Sequence, residues 1–426
     1  MKYKLKKELG LLQATFAGLG IILGAGIYAL LGKAAGVAGN SVWLSFLISA
    51  IIAAFTGLSY AELSSMYPRD ASEEEYAERA FNKRIGFLVS WLVIFQGLVS
   101  AAAVALGFAG YLSELFKDLI TIPLIIGAVA SIILFSIVNY RGIKESSTFN
   151  IIGTIIEGFG LFLIIFLGLN YFGSVNYLEF TMGVPGTISA ASLIFFAFIG
   201  FQSIVKLSEE TKNAKETIPK ALVYSIIIST ILYVLVAISA VSIMGWEKLS
   251  QSTAPLADVA SVVLGNNAFL LLAIIAIFST ANTVLMTLVT ISRIMYGVGT
   301  KFKKLKFLSR VHGETRTPFI AILASMIIAL IFVFIGDIQI VAEITNFLIF
   351  CVFIIVNASL LILRFKDDRK RSFRSPLNIG KINLLAIFGL ISTTVLIFYL
   401  TRNFQVYFGG IIIILIGIFV YDLIKE

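Results

Sequence analysis

Cysteine and histidine are nearly absent from this chain: Cys351 and His312 are the only examples. A single thiol excludes a disulfide framework, and a single imidazole excludes His-rich metal sites and most acid–base machinery. Charge is scarce as well, at 13% of 426 residues, about half of the roughly 25% usual in soluble domains. Apolar residues fill the space. They make up 59% of the chain, and the mean hydropathy is +0.98. No single soluble core of this length hides so much apolar surface, so a water-soluble enzyme and a disordered chain are both excluded. The chain reads as an integral membrane protein.

A spanning helix needs roughly 20 mostly apolar residues. That ruler gives twelve segments: 11–32, 41–66, 85–116, 122–138, 147–170, 187–207, 219–244, 265–296, 318–335, 340–363, 382–400 and 404–423. Pro123, Pro219 and Pro318 fall in the first turn of a span, where a missing N–H costs nothing; Pro68, Pro185, Pro255 and Pro376 fall in loops. No proline sits mid-span, so any break there must come from glycine. The basic start at 2–7 and the apolar run behind it resemble a cleaved leader. The run is too long for an h-region of roughly 7–15 residues, and we read it as the first span.

Lys and Arg accumulate in cytoplasmic loops. With the N-terminus inside, 29 of the 33 basic residues fall on the cytoplasmic side, and only Lys33, Lys117, Lys248 and Arg402 face out. The net charge of +9 and pI of 9.4 follow from that topology. Nucleic acid is therefore not a partner; the lipid bilayer is. Both termini are expected in the cytoplasm of a multi-pass protein of the cell membrane.

Twelve spans divide as five, five and two, giving units 1–170, 187–363 and 382–426. Two five-span repeats must lie upside down relative to each other, the inverted plan of many secondary transporters. The long 67–84 connection then matches the long 245–264 connection on the opposite side. Glycine interrupts both first spans near their middle. One carries Gly18, Gly20, Gly24 and Gly26, and the other reads Phe195-Phe196-Ala197-Phe198-Ile199-Gly200. Unwound backbone at membrane depth is tolerated where it lines a cavity. Its free N–H groups suit a carboxylate and its free C=O groups an ammonium. Glycine also serves close helix packing, and spacing alone does not choose between the two.

Apart from Glu114 and Asp422 in the last turn of their spans, only Glu62, Glu157 and Glu343 are acidic within the spans. Glu62 and Glu343 are near helix ends and read as anchors at the headgroups. Glu157 lies ten residues past Ser147, hence ~15 Å deep, near the midplane of a ~30 Å core. A carboxylate there costs about 2.5–3.5 kcal/mol even on lenient scales. Asn150, Gly153, Thr154 and Gly160 form a small, polar face around it, which is expected to turn inward. No basic residue lies at comparable depth, so the carboxyl is protonated or holds a small cation. The eighth span offers hydroxyls at Ser279, Thr280, Thr283 and Thr287, though such hydroxyls commonly bond back to the i−4 carbonyl.

These residues compose a recognisable series. Gly24-Ala25-Gly26-Ile27-Tyr28, Ser59-Tyr60-Ala61-Glu62-Leu63-Ser64 with Pro68, and Asn139-Tyr140-Arg141-Gly142-Ile143-Lys144-Glu145 follow one another. Then come Phe196-Ala197-Phe198-Ile199-Gly200-Phe201 with Glu209-Glu210-x-Lys212-Asn213 and Ile218-Pro219, Ser292-Arg293-Ile294-Met295-Tyr296, and Leu363-Arg364 with Phe373-Arg374-Ser375-Pro376. In that order the chain resembles the amino acid–polyamine–organocation superfamily of permeases. The resemblance implies an all-α membrane fold of twelve transmembrane helices. It is a five-plus-five inverted repeat (leucine-transporter-like) with helices 1 and 6 discontinuous and two C-terminal helices added. The implied activity is secondary transport of amino acids by alternating access.

The same resemblance places the substrate. Its carboxylate meets the N–H groups of Gly24, Ala25 and Gly26, its amino group meets carbonyls of Ile22, Phe196 and Ile199, and Phe196 caps it from outside. Glu157 aligns with a position where several proton-coupled relatives carry lysine, in the place of a sodium ion of sodium-coupled ones. Glu157 and Thr283 are therefore the expected coupling-ion residues, with a proton as the ion and sodium as the alternative. No other cofactor, structural metal or catalytic residue is expected, and the protein is not an enzyme. Three departures stand out: 69–75 replaces the usual Pro-x-x-Gly-Gly-Glu-Tyr stretch, Asn213-Ala214 lacks Asn-Pro, and Gln202 stands where many members have Glu. Neutral amino acids are the expected substrates, with polyamines, other organic cations or amino acid exchange as alternatives. Gln96, Ser100, Ile199 and Phe347 are the expected pocket walls.

Overall fold

The computed structural model describes residues 9–67, 72–142, 146–209, 211–367, 369 and 371–425, with backbone only for 146–152 and 209. Lys2, Lys4, Lys6, Lys7, Pro68, Arg69, Ile143, Lys144, Glu145, Glu210 and Lys370, and the side chain of Asn150, lie outside that description.

Helices carry almost everything. In chain order they are α1 (Leu11–Ile22), α2 (Ala25–Ala38), α3 (Val42–Met66), α4 (Glu73–Ala80), α5 (Lys83–Phe116), α6 (Leu124–Arg141), α7 (Ser146–Gly168) and α8 (Gly183–Ile194). There follow α9 (Ala214–Met244), α10 (Trp246–Gln251), α11 (Pro255–Leu264), α12 (Asn266–Lys301), α13 (Phe319–Val333), α14 (Ile338–Lys366), α15 (Leu384–Leu400) and α16 (Phe404–Ile424). Among the described residues nine helical stretches are long and apolar enough to cross a membrane, and α1, α11, α13 and α15 are shorter apolar helices. Helix occupies most of each expected span, with 11–32 interrupted at 23–24 and 187–207 at 199–200, and the protein is a multi-pass, almost wholly helical membrane protein. A two-residue hairpin, β1 (Asn378–Ile379) and β2 (Ile382–Asn383), pairs Asn378 with Asn383.

Helix α5 lies at the centre, with 83% of its most apolar window buried against 22% for the peripheral α16. It packs on α12, α14 and α6, while α3 and α1 pack on α9 and α7 bridges α9 and α12. Small residues permit this. Ala101, Ala102, Ala103 and Ala105 of α5 are all buried, and close approach without a hydrophobic drive needs such side chains.

Several expectations need correction. Pro219 is not in a first turn, because α9 begins five residues earlier at Ala214 and the proline lies inside the helix. Pro185 and Pro255 are not in loops; each sits in the first turn of a helix, α8 and α11. The long connections hold helices too short for a span ruler, α4 in one and α10 with α11 in the other.

Glu62 is not a headgroup anchor. It is fully buried, and Arg364 donates Nε to its Oε1 at 2.9 Å and Nη2 to its Oε2 at 2.5 Å. Arg371 lies 3.2 Å away, and the Ser375 N–H donates to it at 2.8 Å. Arg364 comes from α14 itself, and the chain between α14 and the hairpin brings Arg371 and Ser375 to Glu62. Glu343 is also buried, held by Gln339 at 2.9 Å and Asn403 at 3.3 Å.

Candidate functional site

The first span breaks at Leu23 and Gly24, both extended, with Gly24 at φ −157° and ψ −162°. Glycine at the N-cap has no side chain to satisfy the first N–H groups of α2. Ala25 N–H donates to the Thr283 hydroxyl at 3.3 Å, and among the described residues no side chain takes the N–H of Gly26. The positive end of α2 therefore faces a cavity with an unclaimed donor, the arrangement that suits an anion.

The second break follows a short 3-10 turn, Phe195–Phe198. Gly200 sits at φ +123°, a conformation that only glycine adopts at ease, and its N–H is accepted by Gln202 Oε1 at 2.9 Å. A further 3-10 stretch, Phe201–Glu209, leads out of the break.

The two breaks touch reciprocally through their glycines. A Cβ on Gly26 would lie 2.6 Å from Cα of Ala197, and one on Gly200 would lie 2.8 Å from the Ile21 carbonyl oxygen. Both glycines are thus needed for backbone-to-backbone approach. Gly20 and Gly24 instead face side chains, the hydroxyls of Thr154 and Thr283, at 2.8 and 3.2 Å. Tyr233 of α9 joins the pair from the side, its hydroxyl 2.8 Å from the Ile22 carbonyl and 3.1 Å from that of Ala197. The sequence reading missed Tyr233. Its signal was a phenol inside an apolar span, which when buried needs a partner.

Around the breaks lies a cavity of about 460 Å³, within the roughly 300–1,000 Å³ range of small-molecule sites. Ile22, Gly24, Ala25, Gly26, Phe196 and Ile199 all line it, as do Gln96 and Ser100 of α5 and Thr283 of α12. Phe347 does not; it packs against Gly410 of α16, and Ile349 takes the place expected for it. The remaining wall mixes aliphatic side chains such as Val93, Met286 and Ile291 with polar ones such as Asn282, Thr287 and Thr290. Helix α10 lies on α2 so closely that a Cβ on Gly32 would stand 2.5 Å from the Leu249 carbonyl oxygen. The cavity has an open end, which reaches solvent beside the exposed Lys206.

Glu157 is buried in α7, 1% exposed, its side chain facing Ser279 and Asn282 of α12. Neither carboxyl oxygen makes a hydrogen bond of ordinary geometry among the described residues, nor does the Ser279 hydroxyl. The small face of α7 turns inward as its pattern requires, Gly153 against Asn282, Thr154 against Gly20 and Gly160 against Tyr28. Tyr28 also donates to the Glu157 backbone carbonyl at 2.7 Å, tying α2 to α7. Of the four hydroxyls on α12, Thr280 and Thr283 bond back to Ala276 and Ser279, and Thr283 serves Ala25 as well. Asn282, which lines the cavity and faces Glu157, was missed; it is the polar residue between Ser279 and Thr283.

Residues 9–421 match a family model described as amino acid permease. Among curated proteins, the chain is similar to a branched-chain amino acid permease of Bacillus subtilis (strain 168), 29% identical over 87% of this chain and 84% of the relative. A methylthioribose transporter of the same bacterium is 25% identical over 87% and 84%. Cationic amino acid transporter 1 of Arabidopsis thaliana is 26% identical over 87% of this chain and 65% of its own length.

Proposed function

Because the chain belongs to the amino acid permease family, transporters and not enzymes of the amino acid–polyamine–organocation superfamily, we propose that it carries neutral, apolar amino acids by alternating access. The single observation that carries this reading is the cavity between two glycine breaks, whose wall joins aliphatic side chains to uncharged polar ones beside an unclaimed helix N-terminus. Among its described lining residues the only charges are Glu73 and Lys206, opposite in sign and together at the open end. Among the described lining residues Glu73 is the only carboxylate that could receive a basic side chain. The printed name of the Bacillus relative, a branched-chain amino acid permease, agrees with that chemistry.

The proposed architecture is twelve spans in two inverted five-helix repeats, 1–170 and 187–363, followed by 382–426, with both termini cytoplasmic. The helices within the two long connections occupy matching places in that scheme. On this reading the solvent-reaching end of the cavity opens to the cytoplasm. Gly24, Ala25 and Gly26 hold the substrate carboxylate, Ile22, Phe196 and Ile199 offer carbonyls to the ammonium, and Glu157 with Thr283 carries the coupling ion, a proton, with sodium as its rival.

Uptake into proteoliposomes tests the substrate class, with leucine, isoleucine and valine set against lysine, arginine and spermidine. Saturable uptake of the first three, uninhibited by the others, is expected. Lysine or spermidine as the better substrate overturns the neutral reading.

Phe196 gives a second measurement. It is 6% exposed and lines the cavity beside the break. Phe196→Ala weakens substrate binding by about 1–3 kcal/mol, roughly 5- to 150-fold, as a lost aromatic contact does. Phe196→Trp keeps a stacking face and loses less. Equal affinity in all three proteins removes Phe196 from the substrate's surroundings.

A further inference from the structure

The open end of the cavity carries chemistry that the breaks do not use. Glu73, the first residue of α4, lines the cavity and is only 5% exposed. A buried carboxylate is normally held by several short hydrogen bonds. Glu62 shows the usual case, with contacts from 2.5 to 3.2 Å. Glu73 is held loosely: its Oε1 accepts from the Tyr60 hydroxyl at 3.4 Å, and its Oε2 stands 3.8 Å from Lys206 Nζ. Those are its contacts among the described residues. Lys206 comes from the 3-10 stretch that leaves the second break, and it lines the same cavity.

We infer that Glu73 and Lys206 form a second subsite at the cavity's open end, which takes the ammonium of an amino acid on Glu73 and its carboxylate on Lys206. This rests on the transport reading above. A zwitterion suits the pair for an electrostatic reason. It replaces one long ion pair with two closer ones and adds no net charge to a partly desolvated site. An amine alone satisfies Glu73 and leaves Lys206 without its partner; a carboxylic acid alone does the reverse. The subsite thereby selects α-amino acids over their decarboxylated and deaminated analogues as they enter or leave.

The test uses full-length protein in proteoliposomes, with initial rates measured for leucine presented on each side in turn. Isoamylamine and 4-methylpentanoate serve as inhibitors that lack one group each. Glu73→Gln and Lys206→Gln each raise KM at the open side by at least about tenfold, the scale of a lost charged hydrogen bond, and leave KM at the other side unchanged. The discrimination changes with the residue. Glu73→Gln no longer favours leucine over 4-methylpentanoate at the open side, and Lys206→Gln no longer favours it over isoamylamine. A merely structural ion pair shifts all three compounds alike, or changes the maximal rate on both sides, and either result overturns the subsite. Lys206 is exposed, so its variant decides the matter if Glu73→Gln fails to fold. A wild-type protein that takes up no amino acid refutes the transport reading itself, whereas wild-type uptake with unaltered open-side KM in both variants refutes the subsite alone.

Discussion

Gly26→Ala abolishes transport while the protein still inserts in the membrane. One methyl group suffices, because it would sit 2.6 Å from Cα, 3.0 Å from Cβ and 3.1 Å from N of Ala197. Carbon atoms pack best at about 3.5–4.0 Å, so the second break must retreat by about 1 Å. Backbone cannot rotate aside as a side chain can. Overpacking of this kind costs about 1–3 kcal/mol, and a displacement of about 1 Å at a reacting or binding centre can cost on the order of a hundredfold. Uptake falling about a hundredfold, with a lower Tm in detergent, is the expected result. Gly24→Ala is the control: its Cβ meets the Thr283 hydroxyl, at 3.2 Å, which can turn away, and the Ile22 carbonyl oxygen at an ordinary 4.0 Å. It retains uptake within about tenfold, as expected for a change in the few-tenths-of-an-ångström class. Wild-type transport by Gly26→Ala shows that the breaks can separate without loss, and dissolves the reciprocal glycine contact as a functional feature.

Glu157→Gln leaves substrate binding largely intact and uncouples transport from a proton gradient. The amide keeps the shape of the carboxyl and removes its charge, so packing against Ser279 and Asn282 is preserved. The carboxyl is buried, no ion pair holds it among the described residues, and it stands in the helix that Tyr28 ties to α2. A lone carboxylate in such a place carries a cost of about 2.5–3.5 kcal/mol, which a proton or a cation removes. Accumulation in proteoliposomes under an imposed inward proton gradient, compared with a sodium gradient, is the measurement. Wild-type accumulation by the Gln variant ends the coupling role. Accumulation by the wild type with sodium alone moves Glu157, with Thr283 and the Ser279 hydroxyl, to a sodium site.

What the sequence made legible were features that one segment decides by itself. Twenty apolar residues in a row announce a helix, and Gly24 between two apolar runs marks where a break is possible. The inward face of α7 was readable from Gly153, Thr154 and Gly160, because small residues at helical spacing have one use. Features that depend on a distant partner were not readable. Glu62 looks interfacial from its position near the end of α3, and nothing local reveals that Arg364, Arg371 and Ser375 converge on it. Phe347 and Ile349 are equally apolar neighbours in α14, and only the arrival of Gly410 decides which one faces the cavity. Tyr233 and Asn282 were overlooked for the same reason: each is a polar group whose meaning lies in another helix. Helix α10 escaped because six residues carry too little periodicity to register.

The burial of Glu62 also sets an order of events during synthesis. Its partner Arg364 lies 302 positions further along the chain. At about 5–20 residues per second, α3 is made on the order of 15–60 s before the arginine that will neutralise it. Throughout that interval the carboxylate sits one turn from the end of its helix, where water and lipid headgroups remain within reach. The interfacial position inferred from sequence therefore describes the nascent chain, and the buried one the finished fold. The loop that supplies Arg371 and Ser375 is made later still. The pairing of α14 with α3 through Glu62 and Arg364 is thus a late step of biogenesis, and a ribosome stalled before Arg364 leaves that acid without the arginine that holds it in the finished fold.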